Sequence, residues 1–191
     1  DQRRRWLPRM AAGDIIGVLA LTEPNAGSDV QAIQTSAVRR GDVYVLNGTK
    51  QLITNSVHGG LFATLAKTDK AARPPYRGIS CFMVQKGVPG FTVGRSLRKL
   101  GYKGVSTCEL HFQEAQVPAD DLLGGKEGEG FLQLMSGLEL SRIHVSARAL
   151  GEAQAALDAA LRYAQQRHAF GKAIAQHQAI QLKLADMATR L

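Results

Sequence analysis

Residues 19–29 read LALTEPNAGSD. The apolar run Ile15–Leu21 drives into Thr22-Glu23 and then into a cluster of Pro24, Asn25, Gly27 and Ser28. A plain link between two strands needs only two or three turn residues. This stretch instead has the makings of a corner that presents backbone N–H groups and the hydroxyls of Thr22 and Ser28, with Gly27 permitting close backbone approach. It carries neither the GxxxxGK[ST] pattern of a phosphate loop nor the GxGxxG of a dinucleotide turn. On the loop alone, a strand-to-strand turn closed by local Ser and Asp hydrogen bonds is the simpler reading.

Outward from this corner the chain has two textures. From Gly13 to about Val117 it reads as short strands: Ile15–Leu21, Thr35–Arg39, Val43–Leu46, Leu61–Ala66, Gly78–Val84, Phe91–Val93 and Thr107–Phe112. Gly41-Asp42 marks a hairpin. Leu110 and Phe112 share one face of the last run and His111 takes the other. Many short strands at close spacing predict an antiparallel barrel or sandwich. After Val117-Pro118 comes a Gly-rich loop, residues 123–128, and then a long helix. Ile143, Ala147, Leu150, Leu157, Leu161 and Ala164 form its apolar stripe. Phe170-Gly171-Lys172 breaks that helix, and a second one starts near Gln176, with Ile180, Leu184, Met187 and Leu191 on one side. The expected class is α+β: a β-domain over residues 13–118, then long antiparallel helices of an incomplete bundle over 119–191. Residues 1–12 read as the end of a preceding helical region. A start on Asp1 and a periodicity running to Leu191 mark the sequence as an expected internal segment of a longer protein.

Composition narrows the class. Of 191 residues, 45% are apolar and 21% charged, ordinary for a globular protein. No apolar stretch approaches bilayer-spanning length, and the N-terminus lacks the apolar region of a secretory signal, so no membrane partner is expected. Cys81 and Cys108 lie in separate apolar runs without metal-ligand spacing. They read as reduced core thiols of a cytoplasmic protein, and no metal site is expected. Lys and Arg number 24 against 16 Asp and Glu, a net charge of +8. Such a balance suits nucleic acid, anionic lipid or a polyanionic small molecule, but the basic residues of 3–5 and 95–103 read more simply as solvated surface.

Five further stretches, taken with TEPNAGSD, resemble the acyl-CoA dehydrogenases, in order and across nearly the whole chain. They are Asn47-Gly48-Thr49-Lys50 with Ile53-Thr54-Asn55, then residues 99–104 (KLGYKG), 137–142 (GLELSR), 167–172 (RHAFGK) and 178–187 (QAIQLKLADM). The resemblance implies a flavoprotein oxidoreductase of fatty acid β-oxidation. Its middle β-domain and the start of its C-terminal helical domain would hold FAD between them and across a subunit interface.

Carried over residue by residue, the resemblance places the Leu21-Thr22 backbone and the Thr22 hydroxyl at the pyrimidine edge of the flavin. Ser28 falls near its pyrophosphate and near the thioester of the substrate, and Gly27 counts with the cofactor-binding residues. Ile53 and Thr54 border the ring, where relatives carry Trp at the position of Leu52; Thr54 alone would read as a strand-end cap. Glu139 and Arg142, three apart on one helix face, match residues that contact coenzyme A, although by spacing they are a surface ion pair. Arg167, Phe170 and Gln178 match residues reaching the FAD of a neighbouring subunit, while His177 reads equally as a plain helix residue.

The implied reaction moves the Cα proton of an acyl-CoA to a Glu base and the Cβ hydride to flavin N5. Relatives place that Glu either directly before the Arg of the 139–142 segment, here Ser141, or in a later helix, expected beyond Leu191. No residue is therefore assigned as the catalytic base. The implied partners are an acyl-CoA substrate, an electron-transferring flavoprotein and further copies of the chain in a homodimer or homotetramer. An acyl-CoA oxidase of the same fold is the nearest alternative, and a non-catalytic FAD-containing relative that binds nucleic acid is a more distant one.

Overall fold

The computed structural model describes residues 2–191; Asp1, the first residue of the expected 1–12 segment, lies outside them. It divides into a first unit ending at Met135 and a second from Ser136 to Leu191. Helix α1 (Gln2–Ala11) opens the first unit. It buries Trp6 and is tied down by Gln2 Nε2, which donates to the carbonyls of Asp120 and Leu122 at 2.7 Å, and by Arg5, 3.1 Å from the buried Asp121 carboxylate.

Seven strands follow: β1 (Gly17–Ala20), β2 (Ser36–Arg40), β3 (Val43–Thr54), β4 (Leu61–Lys67), β5 (Ile79–Gln85), β6 (Phe91–Val93) and β7 (Thr107–Pro118). They form one seven-stranded sheet in the order β1-β4-β2-β3-β7-β6, with β5 on β4. The α+β class is the expected one, but the sheet is mixed rather than wholly antiparallel: β1 and β2 both run parallel to β4. The chain between β1 and β4 is long enough for the crossover that parallel pairing needs. Tight spacing of apolar runs had pointed only to hairpins, of which β2–β3 is one.

Strands β3 and β7 are also longer than their apolar runs. Asn47-Gly48 reads as punctuation, yet β3 passes through it by shifting register between Leu46 and Gly48 and again between Lys50 and Ile53. The extra residue of the first shift lies in β7, between Phe112 and Ala115, and that of the second in β3, between Lys50 and Ile53; a bulge of this kind bends the strand that carries it.

The sheet encloses a core of stacked rings. Phe91 and Phe112 stack with centroids 4.9 Å apart, Phe62 meets Phe91 edge-on at 5.0 Å, and Tyr44 meets Phe82 at 4.9 Å. Burying each such ring contributes about 1.5–3 kcal/mol. A second cluster, Ile33, Leu65, Ile79, Cys81 and Ala26, takes in Leu134 from the start of helix α2 (Gly130–Gln166). Both cysteines are free and buried.

The second unit holds most of α2, a small hairpin of β8 (His168–Ala169) and β9 (Lys172–Ala173), and α3 (Gln178–Arg190). The helix ends four residues before the expected break, at Gln166, because Phe170 and Gly171 turn the hairpin with positive φ of 55° and 78°. Among the described residues no helix is long and apolar enough to cross a membrane.

Candidate functional site

The corner at the end of β1 is built around a buried ion pair. Lys50 on β3 and Glu23 in the loop have side chains 0% and 6% exposed, and Lys50 Nζ stands 2.8 Å from Glu23 Oε1. Lys50 also donates to the Leu21 carbonyl at 3.0 Å. The Glu23 carboxylate accepts the backbone N–H groups of Gln34 at 2.6 Å and Thr35 at 3.0 Å. Thr35 can come this close because the facing residue is Gly48: a Cβ there would lie 2.4 Å from the Thr35 hydroxyl oxygen. The loop itself closes through reciprocal backbone bonds between Glu23 and Ala26, at 2.9 and 3.1 Å. Asp29 then caps the short turn Val30–Ala32 by accepting from the Gln31 N–H.

The bulge in β3 sets the opposite wall. Lys50 pairs with Leu110 and Ile53 with Cys108, so Gln51 and Leu52 fall between regular pairs with β7. Freed from β7, the Gln51 N–H donates to the Thr22 carbonyl at 2.8 Å. Leu52 takes a left-handed φ of 59° and leaves its side chain 56% exposed. Ile53 turns its side chain into the core, with its carbonyl accepting from the Ser56 hydroxyl at 2.7 Å, while Thr54 faces outward.

The structure thus brings Leu21 and Thr22 alongside the stretch that carries Leu52, Ile53 and Thr54. The carbonyls of Leu21 and Thr22 already accept hydrogen bonds from Lys50 and Gln51. Among the described residues the hydroxyls of Thr22, Ser28 and Thr54 have no partner, and Gly27 and Ser28 are exposed. Each of these hydroxyls can donate one hydrogen bond and accept others, so this surface can meet polar groups of either sense.

The ionisation states follow from burial and pairing. Burial pushes the Glu23 carboxyl up, but the Lys50 ammonium and the hydrogen bonds from Lys50, Thr35 and Gln34 outweigh it and hold Glu23 below its ordinary value. Burial lowers Lys50, opposed by the Glu23 charge. Glu23 is thus fully engaged and has no accessible proton-accepting role. Burial pushes the Cys81 thiol up to about 12, which makes it an inert packing group.

Neither Lys50 nor Glu23 is among the site residues expected from the sequence. The available signal was periodicity: counting in twos from Tyr44 through Leu46 reaches Lys50, a cation on a core face that demands a buried anion.

The remaining candidates lie in the second unit. Glu139 and Arg142 are both exposed on α2 and do not pair with each other. Arg142 lines a shallow hollow of 340 Å³ with Leu138, Ser141, Val145 and Ser146. Arg167 anchors the end of α2 through backbone bonds to Tyr163 and Ile174, at 2.9 and 2.8 Å. Phe170 is 97% exposed at the hairpin tip, edge-on to His177 at 6.1 Å. His177 Nε2 lies 3.2 Å from the Ala169 carbonyl, which assigns it to bracing the hairpin, and Gln178 opens α3 exposed.

Comparison with known proteins agrees over the whole chain. Residues 18–115 match the family model described as acyl-CoA dehydrogenase, middle domain, and residues 128–191 the one described as acyl-CoA dehydrogenase, C-terminal domain. An acyl-CoA dehydrogenase of Bacillus subtilis (strain 168) is 48% identical over 100% of this chain and 49% of its own length. The solved acyl-CoA dehydrogenase of Geobacillus kaustophilus superposes with a TM-score of 0.92 at 46% identity, covering 98% of this chain and 49% of that one. A chain of the structure described as the electron transferring flavoprotein of Acidaminococcus fermentans gives 0.93 at 45% identity, covering 99% and 49%. The two solved structures share with it the fold over 98–99% of its length. The chain belongs to the acyl-CoA dehydrogenase family, and it spans about half the length of the curated relatives it matches.

Proposed function

We propose that this chain forms part of an FAD-dependent acyl-CoA dehydrogenase. The observation that carries the reading is the corner itself: the unpartnered Thr22 and Thr54 hydroxyls lie on two segments joined by the Gln51–Thr22 hydrogen bond and clamped by a buried ion pair. The pyrimidine edge of a flavin offers two carbonyls and an N–H, and hydroxyls, which both donate and accept, can meet either. Bound FAD supplies an acceptor for the hydride leaving Cβ of the thioester.

Thr22 and Thr54 hold the ring edge, and Leu52 offers an apolar surface beside it. Gly27 and Ser28 approach the pyrophosphate. Arg142 keeps its planar fork for a phosphate or carbonyl of coenzyme A, with Glu139 beside it. Arg167, Phe170 and Gln178 serve the cofactor of a second copy in a homodimer or homotetramer. Ser141 cannot take the Cα proton as a carboxylate would, so the base lies outside the residues named here. An electron-transferring flavoprotein is the proposed oxidant, a class of partner supported by the likeness to the Acidaminococcus fermentans structure. Two unpaired buried thiols suit a cytoplasmic location.

The test is anaerobic addition of a panel of acyl-CoA thioesters to the full-length protein loaded with FAD. Loss of the flavin's visible absorbance with at least one thioester is expected. A protein that stays colourless in FAD, or a bound flavin that no thioester bleaches, contradicts the proposal.

A further inference from the structure

The Glu23–Lys50 pair is costly as a device for stability alone. Replacing a buried ion pair by apolar groups of similar volume is often neutral or stabilising. Its geometry points to another use. Lys50 is the last regular partner of β7 before the bulge, and its ammonium reaches back to the Leu21 carbonyl at 3.0 Å. The next residue, Gln51, holds the Thr22 carbonyl at 2.8 Å. Glu23, the residue after Thr22, is gripped from the other side by the N–H groups of Gln34 and Thr35. Three consecutive residues, Leu21 to Glu23, are thereby fixed at defined points against β3, and the half-buried Thr22 sits in the middle with its hydroxyl unshared.

We propose that Glu23 and Lys50 are positioning residues that set the height and orientation of the Thr22 corner against the bulge of β3, and so tune the grip on the flavin edge. The inference rests on the FAD reading above. The pair touches no ligand itself; it acts through Leu21, Thr22 and Gln51.

The test uses full-length holoenzyme and reads the FAD dissociation constant, the visible flavin spectrum, the flavin reduction potential, and kcat apart from KM for the thioester. Removing one charge alone leaves the other buried and unpaired, so Glu23→Gln combined with Lys50→Met is the informative variant. It is expected to bind FAD at least tenfold more weakly, to shift the flavin spectrum and potential, and to lose kcat with little change in KM. Lys50→Arg keeps a charged donor but displaces it, and is expected to fall between wild type and the double variant. A purely structural pair would lower the melting temperature and leave the spectrum and potential alone. Wild-type FAD affinity, spectrum and potential in the folded double variant overturn the inference. Should the double variant not fold, the same wild-type values in Lys50→Arg overturn it. A wild-type protein that takes up no FAD overturns the FAD reading itself, whereas bleaching by a thioester with no spectral response to the variants overturns only the positioning role.

Discussion

The two units of this chain solve the burial problem differently. In the first, strands contribute side chains such as Phe62, Phe82, Leu110 and Phe112 that are 2% exposed or less. Even the polar loop after β1 is anchored by a pair of buried charges. In the second, Leu157 and Ala164 are buried, while Leu140, Ile143, Leu150 and Leu182 of α2 and α3 are 54–65% exposed. The apolar stripe that predicts the helix is real, but over Ser141–Leu150 every residue is exposed. Periodicity reports which face a helix can bury; it does not report whether the same chain supplies the cover.

The comparison can be broken by substitutions on either side of it, read by urea unfolding. The largest loss is expected for Lys50→Met, which strands the Glu23 carboxylate in the core and costs about 3–5 kcal/mol. Gly130→Ala comes next. A Cβ there would lie 2.3 Å from the backbone of Ser80 and Cys81, so the helix start must shift, at about 1–3 kcal/mol. The same change further along α2, Gly151→Ala, meets nothing within 4 Å and is expected to stabilise by about 0.5–1 kcal/mol. Equal effects at Gly130 and Gly151 would erase the distinction between the two environments.

A smaller effect is expected from pH. The folded state holds the Glu23 carboxyl below its ordinary value of 4.5. Its contribution is therefore present above that value and is lost as pH falls through the lower folded one. The urea midpoint of wild type should drop below pH 4.5 more steeply than that of the Glu23→Gln, Lys50→Met variant. Parallel curves would show that the pair is not ionised as described.

Much of this was legible in the sequence. Strand periods located all seven strands of the main sheet, and the order of motifs gave the family. What was not legible has a common cause in tertiary pairing. Parallel placement of β1 and β2 beside β4 depends on a crossover that no local pattern encodes. Asn47-Gly48 reads as a break until the bulge opposite it in β7, and the closeness of Thr35 to Gly48, show why β3 continues through it. In the sequence TEPNAGSD and NGTK are two separate motifs. The structure makes them partners: Glu23 of one neutralises Lys50 of the other, while the hydroxyls of Thr22, Ser28 and Thr54 keep no partner among the described residues.

The most direct measurement is FAD affinity of the full-length protein and its Thr22→Val variant, with folding checked by thermal melting. Loss of one hydroxyl contact at the flavin edge predicts about tenfold weaker binding, corresponding to about 1–1.5 kcal/mol, with the melting temperature of the FAD-free protein unchanged. Equal FAD affinity in the two proteins would contradict the assignment of this corner as the cofactor's grip.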